Sequence, residues 1–394
     1  MLDDKRVRAD TPGIGPGPGT GLVFLDSAGS SLSPRIVTDT VVDHLRREAE
    51  VGGYRAANER LDDLAAVKTA IGTLINAAPA SIALSDSATR SWADFFYSVP
   101  LSPGDRVLIS GADYASNAIA ALQRAEATGA TVQQIPSDGT GQIDLEALAA
   151  MMDERVKLVS VLHVPTNGGL VNPAAEATRI AHSVGALVLL DACQSAGQLP
   201  IDVVELDVDA LSVTGRKWLR GPRGTGFLYL RPELAASMVP ERLDLHSAQW
   251  VAPDKYTLAA DASRFEFWEC DVAARLGLGA AVRYLLDLGP DDVYTAIAAR
   301  AEYLRKSLQR IARVTVRDLG IQHNGIVSFT VDGVESIDIR DRLAAQDITV
   351  SVSHASSTLL DMTARGLASV VRASPHCFVG FEELDRFVAA VAAL

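Results

Sequence analysis

The chain has 394 residues, of which 48% are hydrophobic and 22% are charged, and its formal net charge is −13 at pH 7. This length is ample for a hydrophobic core and predicts more than one domain, and the composition is that of an ordinary globular protein. The negative charge argues against nucleic acid or an anionic membrane surface as a partner, because both would repel the protein.

The cysteines are few and scattered. Cys193, Cys270 and Cys377 have no metal-ligand spacing, and an odd number gives no closed set of disulfides. The start of the chain lacks the apolar segment of a signal peptide, and no apolar run of about 18 residues occurs. We therefore expect a cytoplasmic protein, in a reducing compartment, with no membrane partner.

The first ordered elements are predicted to follow a polar N-terminal segment. Residues 1–21 end in a run of glycine and proline with no strand before it and no Lys-Ser/Thr after it, which predicts a flexible lead-in rather than a phosphate loop. Ser33-Pro34 predicts the N-cap and first residue of a helix that continues to about Ala49. Gly52-Gly53-Tyr54 interrupts it, and apolar spacing predicts a second helix over 61–76.

From residue 81 onwards, short apolar runs alternate with amphipathic stretches. This pattern is typical of a mostly parallel sheet with helices on both faces. Ligands of such sheets bind outside the carboxyl ends of the strands, which is where the polar candidate residues fall. The seven predicted strands are Ile82–Leu84, Val107–Ile109, Val132–Ile135, Leu158–Leu162, Ala186–Leu190, Ala210–Val213 and Phe227–Leu230.

The pattern changes after about residue 245. Two long helical stretches are followed by four short apolar runs and a final helix, which predicts a smaller α+β domain with an antiparallel sheet. The helices are Ala273–Leu288, Asp291–Ile311 and Phe381–Ala393, and the strands are Val314–Val316, Ile326–Val331, Ile348–Val352 and Val370–Ala373.

Two residues that follow neighbouring predicted strands carry the chemistry. Asp191 ends one buried run, and Lys217 follows the next after a turn of small residues. This pair suits pyridoxal 5′-phosphate (PLP), because the aspartate would hold the pyridine nitrogen protonated and the lysine would form the Schiff base. The simpler alternative for Lys217 is a surface charge on a hairpin.

The wider pattern around this pair resembles a known family. Asp191-x-x-Gln194, Thr214-x-x-Lys217 and the following Gly221-Pro222-x-Gly224-x-Gly226 are similar to the class V aminotransferase (cysteine desulfurase-like) family of PLP enzymes, and the likeness runs from about Phe24 to the C-terminus. The resemblance implies an α/β, fold-type I PLP-dependent transferase that forms a homodimer with shared active sites. It places a large PLP-binding domain at 22–245 and a small C-terminal α+β domain at 246–394.

The resemblance also implies which residues bind the cofactor phosphate. Ser87, Ala88 and Thr89 follow a strand and open a helix, whose N-terminus suits a phosphate. Thr214 is expected to bond the phosphate, and Arg216, which stands where most desulfurases have histidine, adds a positive charge. The alternatives are that Ser87 only caps the helix and that Arg216 is exposed to solvent.

The cofactor ring is expected to contact a second group of residues. Tyr114 stands where desulfurases have a histidine that stacks on the cofactor ring. A tyrosine can stack in the same way but cannot transfer protons near neutral pH. The alternative is that Tyr114 is only a packing aromatic residue. Gln194 is expected to bond the ring oxygen. Thr166 stands at the family's asparagine, and either it or Asn167 bonds that oxygen or the substrate carboxylate. Two roles are open for His163: it is either packed in the core or takes part in the reaction.

The substrate side is implied by three further stretches. Arg372 matches the family's Arg-Ala-Ser and would clamp the substrate α-carboxylate bidentately, unless it forms only a surface ion pair. Ala28 and Gly29 allow close backbone approach near that carboxylate, unless they form a plain turn. Tyr54 reaches the substrate side of the pocket or merely packs.

Two departures from the family change the expected reaction. The region 351–358 lacks the cysteine nucleophile of desulfurases, so persulfide formation by their standard route is not expected. Trp268-Glu269 replaces a Gly-Thr that reaches the neighbouring subunit's phosphate, which puts that contact in doubt.

The motifs Gly52-Gly53-Tyr54, Pro165–Gly169 and Arg216-Lys217-Trp218 resemble a subgroup with sulfoxide lyases of ergothioneine biosynthesis and enzymes that process cysteine-conjugated lincosamide antibiotics. This implies a carbon–sulfur lyase for natural-product or antibiotic biosynthesis. Its substrate is expected to be a small amino acid, an S-substituted cysteine, that undergoes β-elimination to a thiol or sulfenate, pyruvate and ammonia, with Lys217 as the base. Decarboxylation-coupled oxidative deamination, epimerisation and transamination remain open. A non-enzymatic binding protein would have no need of the Asp191–Lys217 pair.

Overall fold

A computed structural model describes residues 2–14 and 21–394, and these residues form sixteen α-helices and fifteen strands. The helices are α1 (Asp4–Ala9), α2 (Ser27–Ser30), α3 (Arg35–Val51), α4 (Gly53–Asn58), α5 (Leu61–Ile75), α6 (Ala88–Ser98), α7 (Ala115–Thr128), α8 (Leu145–Met151), α9 (Ala174–His182), α10 (Val203–Leu206), α11 (Pro232–Ser237), α12 (Val272–Leu288), α13 (Pro290–Leu308), α14 (Ser336–Ala344), α15 (Leu359–Ala364) and α16 (Phe381–Ala392). The strands are β1 (Val23–Phe24), β2 (Ile82–Ser85), β3 (Arg106–Ile109), β4 (Thr131–Gln134), β5 (Val156–Leu162), β6 (Leu187–Asp191), β7 (Ala210–Thr214), β8 (Gly226–Leu230), β9 (Ala248–Ala252), β10 (Lys255–Leu258), β11 (Val314–Val316), β12 (Val327–Val331), β13 (Ile348–Thr349), β14 (Ser351–His354) and β15 (Ser369–Ala373).

The large sheet has seven strands in the order β2-β8-β7-β6-β5-β3-β4. All seven predicted runs are confirmed as its strands. The sheet is mostly parallel, and β8 alone runs antiparallel to both of its neighbours, β2 and β7. The mostly parallel α/β fold predicted from the alternation of strands and helices is therefore confirmed.

Both faces of this sheet are covered by helices, because the central strands are apolar on both sides. In β6, Val188 and Leu190 belong to one hydrophobic cluster, which includes α5 and α12. Leu189, which points the opposite way, belongs to a second cluster that includes the aromatic residues Trp92 and Phe95 of α6. This two-sided burial leaves the strand ends as the place where polar side chains can meet a ligand.

The predicted helices agree with the structure to within a few residues at their ends. Helix α3 begins at Arg35 with Pro34 as its N-cap residue, so the helix begins one residue later than the Ser33-Pro34 signal predicts. Gly52 ends α3, and α5 ends at Asn76, which has a left-handed φ of 57°.

The predicted flexible lead-in needs correction over residues 2–14. Residues Asp4–Ala9 form α1, whose N-cap Asp3 accepts a hydrogen bond from the Arg6 amide. Val7 is fully buried, and Arg8 forms a 2.8 Å ion pair with Glu383 of α16. A second ion pair, 3.1 Å long, joins Asp4 of this helix to Arg300 of α13, so two ion pairs attach the helix to the C-terminal part of the chain. Residues 15–20 of the glycine- and proline-rich run lie outside the described residues.

The second sheet has the order β11-β12-β15-β14, and every neighbouring pair is antiparallel, as predicted. The predicted strand Ile348–Val352 needs correction, because its first two residues form β13 in another sheet and only its last two belong to β14. Two contacts cross the predicted division between 22–245 and 246–394, which stays a prediction. Strand β1 pairs in parallel with β13. Helix α12 packs closely on α5, since a Cβ atom at Gly279 would lie 2.6 Å from Cγ2 of Val67.

Candidate active site

A cavity opens at the carboxyl ends of β5, β6 and β7, beside the N-terminus of α6. It gathers most of the predicted site residues, although these come from distant parts of the chain. The predicted residues that line it are Ser87, Ala88, Thr89, Tyr114, Thr166, Asp191, Gln194, Thr214, Arg216 and Lys217.

Lys217 lies on the tight turn that follows β7. The turn requires glycine at position 215, because a Cβ atom there would overlap Oγ1 of Thr225, and it closes with a 2.8 Å hydrogen bond from the Gly221 amide to the Gly215 carbonyl. Burial, assisted by the nearby charge of Arg216, lowers the pKa of Lys217 from 10.5 to about 8. A lysine with a pKa this close to neutrality is suited to act as a nucleophile and as a base. The alternative of a surface hairpin charge does not fit this burial.

Asp191 is the last residue of β6 and is only 5% exposed. Its Oδ1 accepts a hydrogen bond from the Cys193 amide at 3.0 Å, and its Oδ2 accepts one from Nδ2 of Asn117 at 2.9 Å. Both carboxylate oxygens are therefore held in place at the edge of the cavity.

Asn117, on α7, also lines the cavity and has no predicted role. It lies one helical turn after Asp113, to which its Nδ2 also donates over 3.2 Å. Asp113 lies two residues before the first residue of α7 and Asn117 lies in its first turn, so their four-residue spacing, just after a strand, is the sequence signal for this pair.

One end of the cavity is formed by the N-terminus of α6, where the phosphate is predicted to bind. Ser87 is its N-cap residue, and its hydroxyl accepts from the Arg90 amide at 3.2 Å. Ser87 therefore both caps α6 and lines the cavity. A Cβ atom at Gly226 would lie 3.1 Å from the Ala88 nitrogen, so β8 needs glycine to pass beneath this helix start.

Arg216 is half-buried, and its guanidinium bonds the Gly29 carbonyl, so it is not a free surface charge.

Gln194 is held by three hydrogen bonds. Its Nε2 donates to the Ala28 carbonyl at 3.0 Å and to Oγ1 of Thr166 at 3.2 Å, and its Oε1 accepts from the Trp218 indole at 2.9 Å. The predicted substrate residues Ala28 and Gly29 are thus bonded to two residues that line the cavity, Gln194 and Arg216.

Arg372, on β15, adjoins the same group. Its Nη1 donates to the carbonyl of Thr166 at 3.0 Å and to Oγ1 of Thr166 at 2.7 Å. The guanidinium is buried rather than part of a surface ion pair, because Arg372 is only 6% exposed.

Five predicted residues are absent from the lining of the cavity: Ala28, Gly29 and Arg372, which are hydrogen-bonded to residues that line it, and Asn167 and Tyr54, which are not. Asn167 donates to Oδ2 of Asp361 at 2.7 Å, on α15, and does not line the cavity. Of the two adjacent candidates, Thr166 therefore faces the cavity, because the turn directs Asn167 towards α15. Tyr54 lies on α4 and is 76% exposed, outside the cavity of its own chain.

His163 behaves as a core histidine. Its Nδ1 lies 3.0 Å from Oγ of Ser195, and it does not line the cavity. Burial lowers the pKa of its imidazole to about 4, so it is neutral at physiological pH.

The residues at the cavity fit PLP. The buried Asp191 carboxylate suits a protonated pyridine nitrogen, and Lys217 suits the aldehyde. The N-terminus of α6, together with Thr214 and Arg216, suits the phosphate. Within residues 2–14 and 21–394, no cluster of metal-ligating side chains occurs, and no helix is both long and apolar enough to cross a membrane.

Comparisons with known proteins agree with this site and fold. Residues 23–387 match the family model described as aminotransferase class-V. A cysteine desulfurase of Dickeya dadantii is 32% identical, with 98% of this chain and 95% of the relative covered. The structure of a cysteine desulfurase from Escherichia coli has a TM-score of 0.90 at 23% identity and covers 100% of this chain and 98% of that chain.

A cystine C–S lyase, solved with its product cysteine persulfide, has a TM-score of 0.84 at 24% identity, with 94% and 97% of the two chains covered. A variant of that lyase holds glycine covalently linked to its PLP cofactor; its TM-score is 0.87 at 24% identity, with 98% of each chain covered. The likeness to these structures supports the fold-type I architecture. The chain belongs to the class V aminotransferase family and is a PLP-dependent enzyme.

Proposed function

We propose that this protein is a carbon–sulfur lyase that removes the sulfur substituent of an S-substituted cysteine by β-elimination. The names of its relatives, cysteine desulfurases and a cystine C–S lyase, support cleavage of a carbon–sulfur bond. The products would be a thiol or sulfenate, pyruvate and ammonia. The resemblance to the ergothioneine and lincosamide subgroup makes natural-product biosynthesis the proposed setting.

The observation that carries this proposal is the state of the three cysteines. Burial raises the thiol pKa of Cys377 to about 11. Burial likewise raises the pKa of Cys193, which is next to the Asp191 carboxylate, and that of Cys270. The thiolate is the nucleophilic form of cysteine, so none of the three is suited to take sulfur from a substrate near neutral pH.

The loop where desulfurases carry their nucleophile supports the same conclusion. Here it comprises β14 and a short 3₁₀ turn, Ala355–Ser357, and its hydroxyl-bearing residues are Ser351, Ser353, Ser356 and Ser357. Without a thiolate to accept sulfur, the sulfur atom must leave together with its own substituent. That outcome is an elimination rather than a persulfide transfer.

The chain's own residues account for each step of this reaction. PLP, when bound, stabilises negative charge that develops at the substrate Cα. Asp191 holds the proton on the pyridine nitrogen, and Arg372 orients the substrate through its carboxylate. Lys217 takes the Cα proton onto Nζ. The Cβ–S bond then breaks, the electron pair leaves with sulfur, and hydrolysis of 2-aminoacrylate gives pyruvate and ammonia.

The test is product analysis of the PLP-loaded protein with a panel of S-substituted cysteines and their sulfoxides. We expect pyruvate and the matching free thiol or sulfenate product by mass spectrometry, and no product from Lys217→Ala. Carbon dioxide and an aldehyde without pyruvate would move the protein to decarboxylating oxidative deamination. A keto acid with the sulfur retained would indicate transamination, and a racemised substrate would indicate epimerisation.

A cysteine variant separates elimination from desulfuration. A triple variant, Cys193→Ala, Cys270→Ser and Cys377→Ala, should retain the pyruvate-forming activity if it folds, as judged by circular dichroism and cofactor content. Release of alanine from cysteine in the wild type, lost in this triple variant, would instead assign a desulfurase.

We also propose a cytoplasmic homodimer, with the exposed aromatic residues at the subunit interface. Trp250 is 79% exposed, Tyr54 is 76% exposed and Trp268 is 51% exposed, and large exposed apolar groups of this kind mark interaction surfaces. Sedimentation equilibrium should give twice the 41.7 kDa chain mass. A monomer at micromolar concentration would contradict this assignment.

A further inference from the structure

A carboxylate of the protein itself is bound to the predicted substrate anchor. Oδ1 of Asp26 accepts a hydrogen bond from Nη2 of Arg372 at 3.1 Å, and the two residues are 346 positions apart in sequence. Their side chains are 24% and 7% exposed, so the ion pair is largely shielded from water. Ion pairs in such surroundings are screened less by salt than surface pairs and restrict the geometry of both partners.

The backbone around Asp26 is held firmly against β15. The Ser27 amide donates to the Ser374 carbonyl at 3.2 Å, and the Ala28 amide donates to Oγ of Ser374 at 3.0 Å. Asp26 itself forms an isolated parallel bridge with Ser374. The Asp26 carboxylate therefore reaches Arg372 from a fixed backbone rather than from a mobile loop.

Gly29 is required for this arrangement. A Cβ atom at position 29 would overlap both carboxylate oxygens of Asp26. The carboxylate thus lies directly against the Gly29 backbone, whose carbonyl accepts from Arg216. The predicted role of Gly29 was close backbone approach to the substrate, and the structure adds that it makes room for Asp26.

The hydrogen bonds of Arg372 leave part of its guanidinium without a partner in the described part of the chain. The group has five N–H donors. Nη1 donates to two oxygens of Thr166, and Nη2 donates to Asp26. Nε is buried and has no hydrogen-bond partner among the described residues. A buried donor without a partner is unfavourable, and a carboxylate that bonded Nε and the second Nη2 hydrogen would relieve this cost.

We propose that Asp26 is a positioning residue for the substrate carboxylate: it fixes the guanidinium of Arg372 so that Nε and the remaining Nη2 hydrogen face the incoming carboxylate. Asp26 also offsets one positive charge in a site that contains Arg216 and Lys217. The inference rests on the proposed function only in taking an amino acid as the substrate.

The test measures binding rather than turnover, so it is independent of the proposed elimination. L-alanine has no leaving group on Cβ, and ethylamine is the same molecule without the carboxylate. The dissociation constants of both are measured from the change in cofactor absorption for the PLP-loaded wild type, Asp26→Ala and Asp26→Asn. Asp153→Asn is the matched control, since Asp153 forms an ion pair of the same length, 3.1 Å, with Arg106 at the opposite end of the sheet.

We expect Asp26→Ala to weaken L-alanine binding by about tenfold or more and to leave ethylamine binding nearly unchanged. The reason is that only L-alanine has a carboxylate that Arg372 can bind. Asp26→Asn keeps an acceptor oxygen and should recover part of the loss. Asp153→Asn should bind both ligands like the wild type. Equal weakening of both ligands, unchanged binding of L-alanine, or tighter binding of L-alanine in Asp26→Ala would each overturn the proposal.

The fold and the proposed function are checked separately. Circular dichroism, thermal unfolding and cofactor content report whether Asp26→Ala is folded and loaded with PLP. If it is not, the proposal is decided by Asp26→Asn alone, from the ratio of the dissociation constants of L-alanine and ethylamine. Failure of the lyase assay with normal L-alanine binding would reject the proposed reaction and leave the role of Asp26 intact.

Discussion

Nδ2 of Asn117 lies 2.9 Å from Oδ2 of Asp191 and 3.2 Å from Oδ1 of Asp113, so one amide group joins two buried carboxyl groups. Asp113 also accepts from the Tyr114 amide at 2.8 Å and from Oγ of Ser160 at 3.3 Å. Asp113 does not line the cavity. The structure therefore places a second carboxyl group behind the one that lines the cavity, with Asn117 as the link.

We expect Asn117→Ala to weaken retention of PLP. The substitution removes a neutral donor from a buried carboxylate, and such bonds to charged groups contribute about 1.5–3 kcal/mol, which is roughly a tenfold to hundredfold change in affinity. Equilibrium dialysis with PLP measures it, and the circular dichroism spectrum of the cofactor-free protein checks the fold. Unchanged PLP affinity would show that Asp191 does not depend on Asn117.

The pH dependence of stability should reveal Asp113. Burial, with repulsion from Asp191, raises the pKa of Asp113 from 3.8 to about 7 in the folded protein. Between these two values the folded state binds more protons than the unfolded state, so this group's contribution to stability falls as the pH rises and levels off above about 7. Replacement by asparagine removes this dependence.

The measurement is denaturant unfolding of the cofactor-free wild type and Asp113→Asn from pH 5 to pH 8. Relative to the wild type, the free energy of unfolding of Asp113→Asn should increase with pH across this range. A difference that stays constant with pH would contradict a raised pKa at Asp113. Asp138→Asn is a suitable comparison, because Asp138 is exposed and its pKa is lowered.

Attachment of PLP to Lys217 should depend on pH near 8. Burial lowers the pKa of this amine to about 8, and only the neutral amine can attack the aldehyde of the cofactor. The rate of attachment, followed by absorption in a stopped-flow instrument, should rise with pH up to about 8 and then level off. Lys217→Ala should give no protein-linked absorption band at any pH, and a band that persisted in this variant would assign the attachment to another lysine.

A buried glutamate outside the cavity should control the stability of the neighbouring segment. Glu266 is 3% exposed and lies 2.5 Å from Nζ of Lys68 and 3.2 Å from Nη1 of Arg275, and its Oε1 accepts from the Leu84 amide at 3.0 Å. Burial opposes its ionisation, but His246, whose Nε2 lies 3.7 Å from Oε2 of Glu266, and the two nearby cations lower its pKa to about 2.

We expect Glu266→Gln to reduce the free energy of unfolding at pH 7 by about 3 kcal/mol, because two partly buried cations lose their partner. The stabilisation by Glu266 is present above its ordinary pKa of 4.5 and is lost as the pH falls towards 2, so the difference from the wild type should shrink below pH 4. Urea unfolding at several pH values measures it. The surface variant Glu59→Gln, next to Arg47, should cost far less.

Much of the secondary structure could be predicted from local pattern. Short apolar runs marked the seven strands of the large sheet and three of the four strands of the small sheet, since a buried strand is apolar. The run Ile348–Val352 instead covers β13 and only the first two residues of β14. Helix α1 was missed because it is only six residues long and has a single buried side chain, Val7. So short a helix leaves almost no periodic signal, and it is held in place by ion pairs with Arg300 of α13 and Glu383 of α16.

The candidate site was predictable to the extent that its residues follow strands. Asp191 and Lys217 could be recognised because polar residues that directly follow buried strands collect at one edge of a parallel sheet. The choice between Thr166 and Asn167 could not be made this way, because adjacent residues in a turn point in different directions. The structure directs Asn167 to Asp361, which is 194 residues away.

The sequence by itself determined the order of strands and helices along the chain, the family, the cofactor and the residues at the strand ends, because these depend on local patterns and motifs. Only the tertiary structure decided that β8 lies antiparallel between β2 and β7, that Asn117 supports Asp191, and that Asp26 bonds Arg372. The physical reason is distance along the chain. Contacts between residues tens to hundreds of positions apart follow from how whole elements pack, and no local period or spacing records that packing.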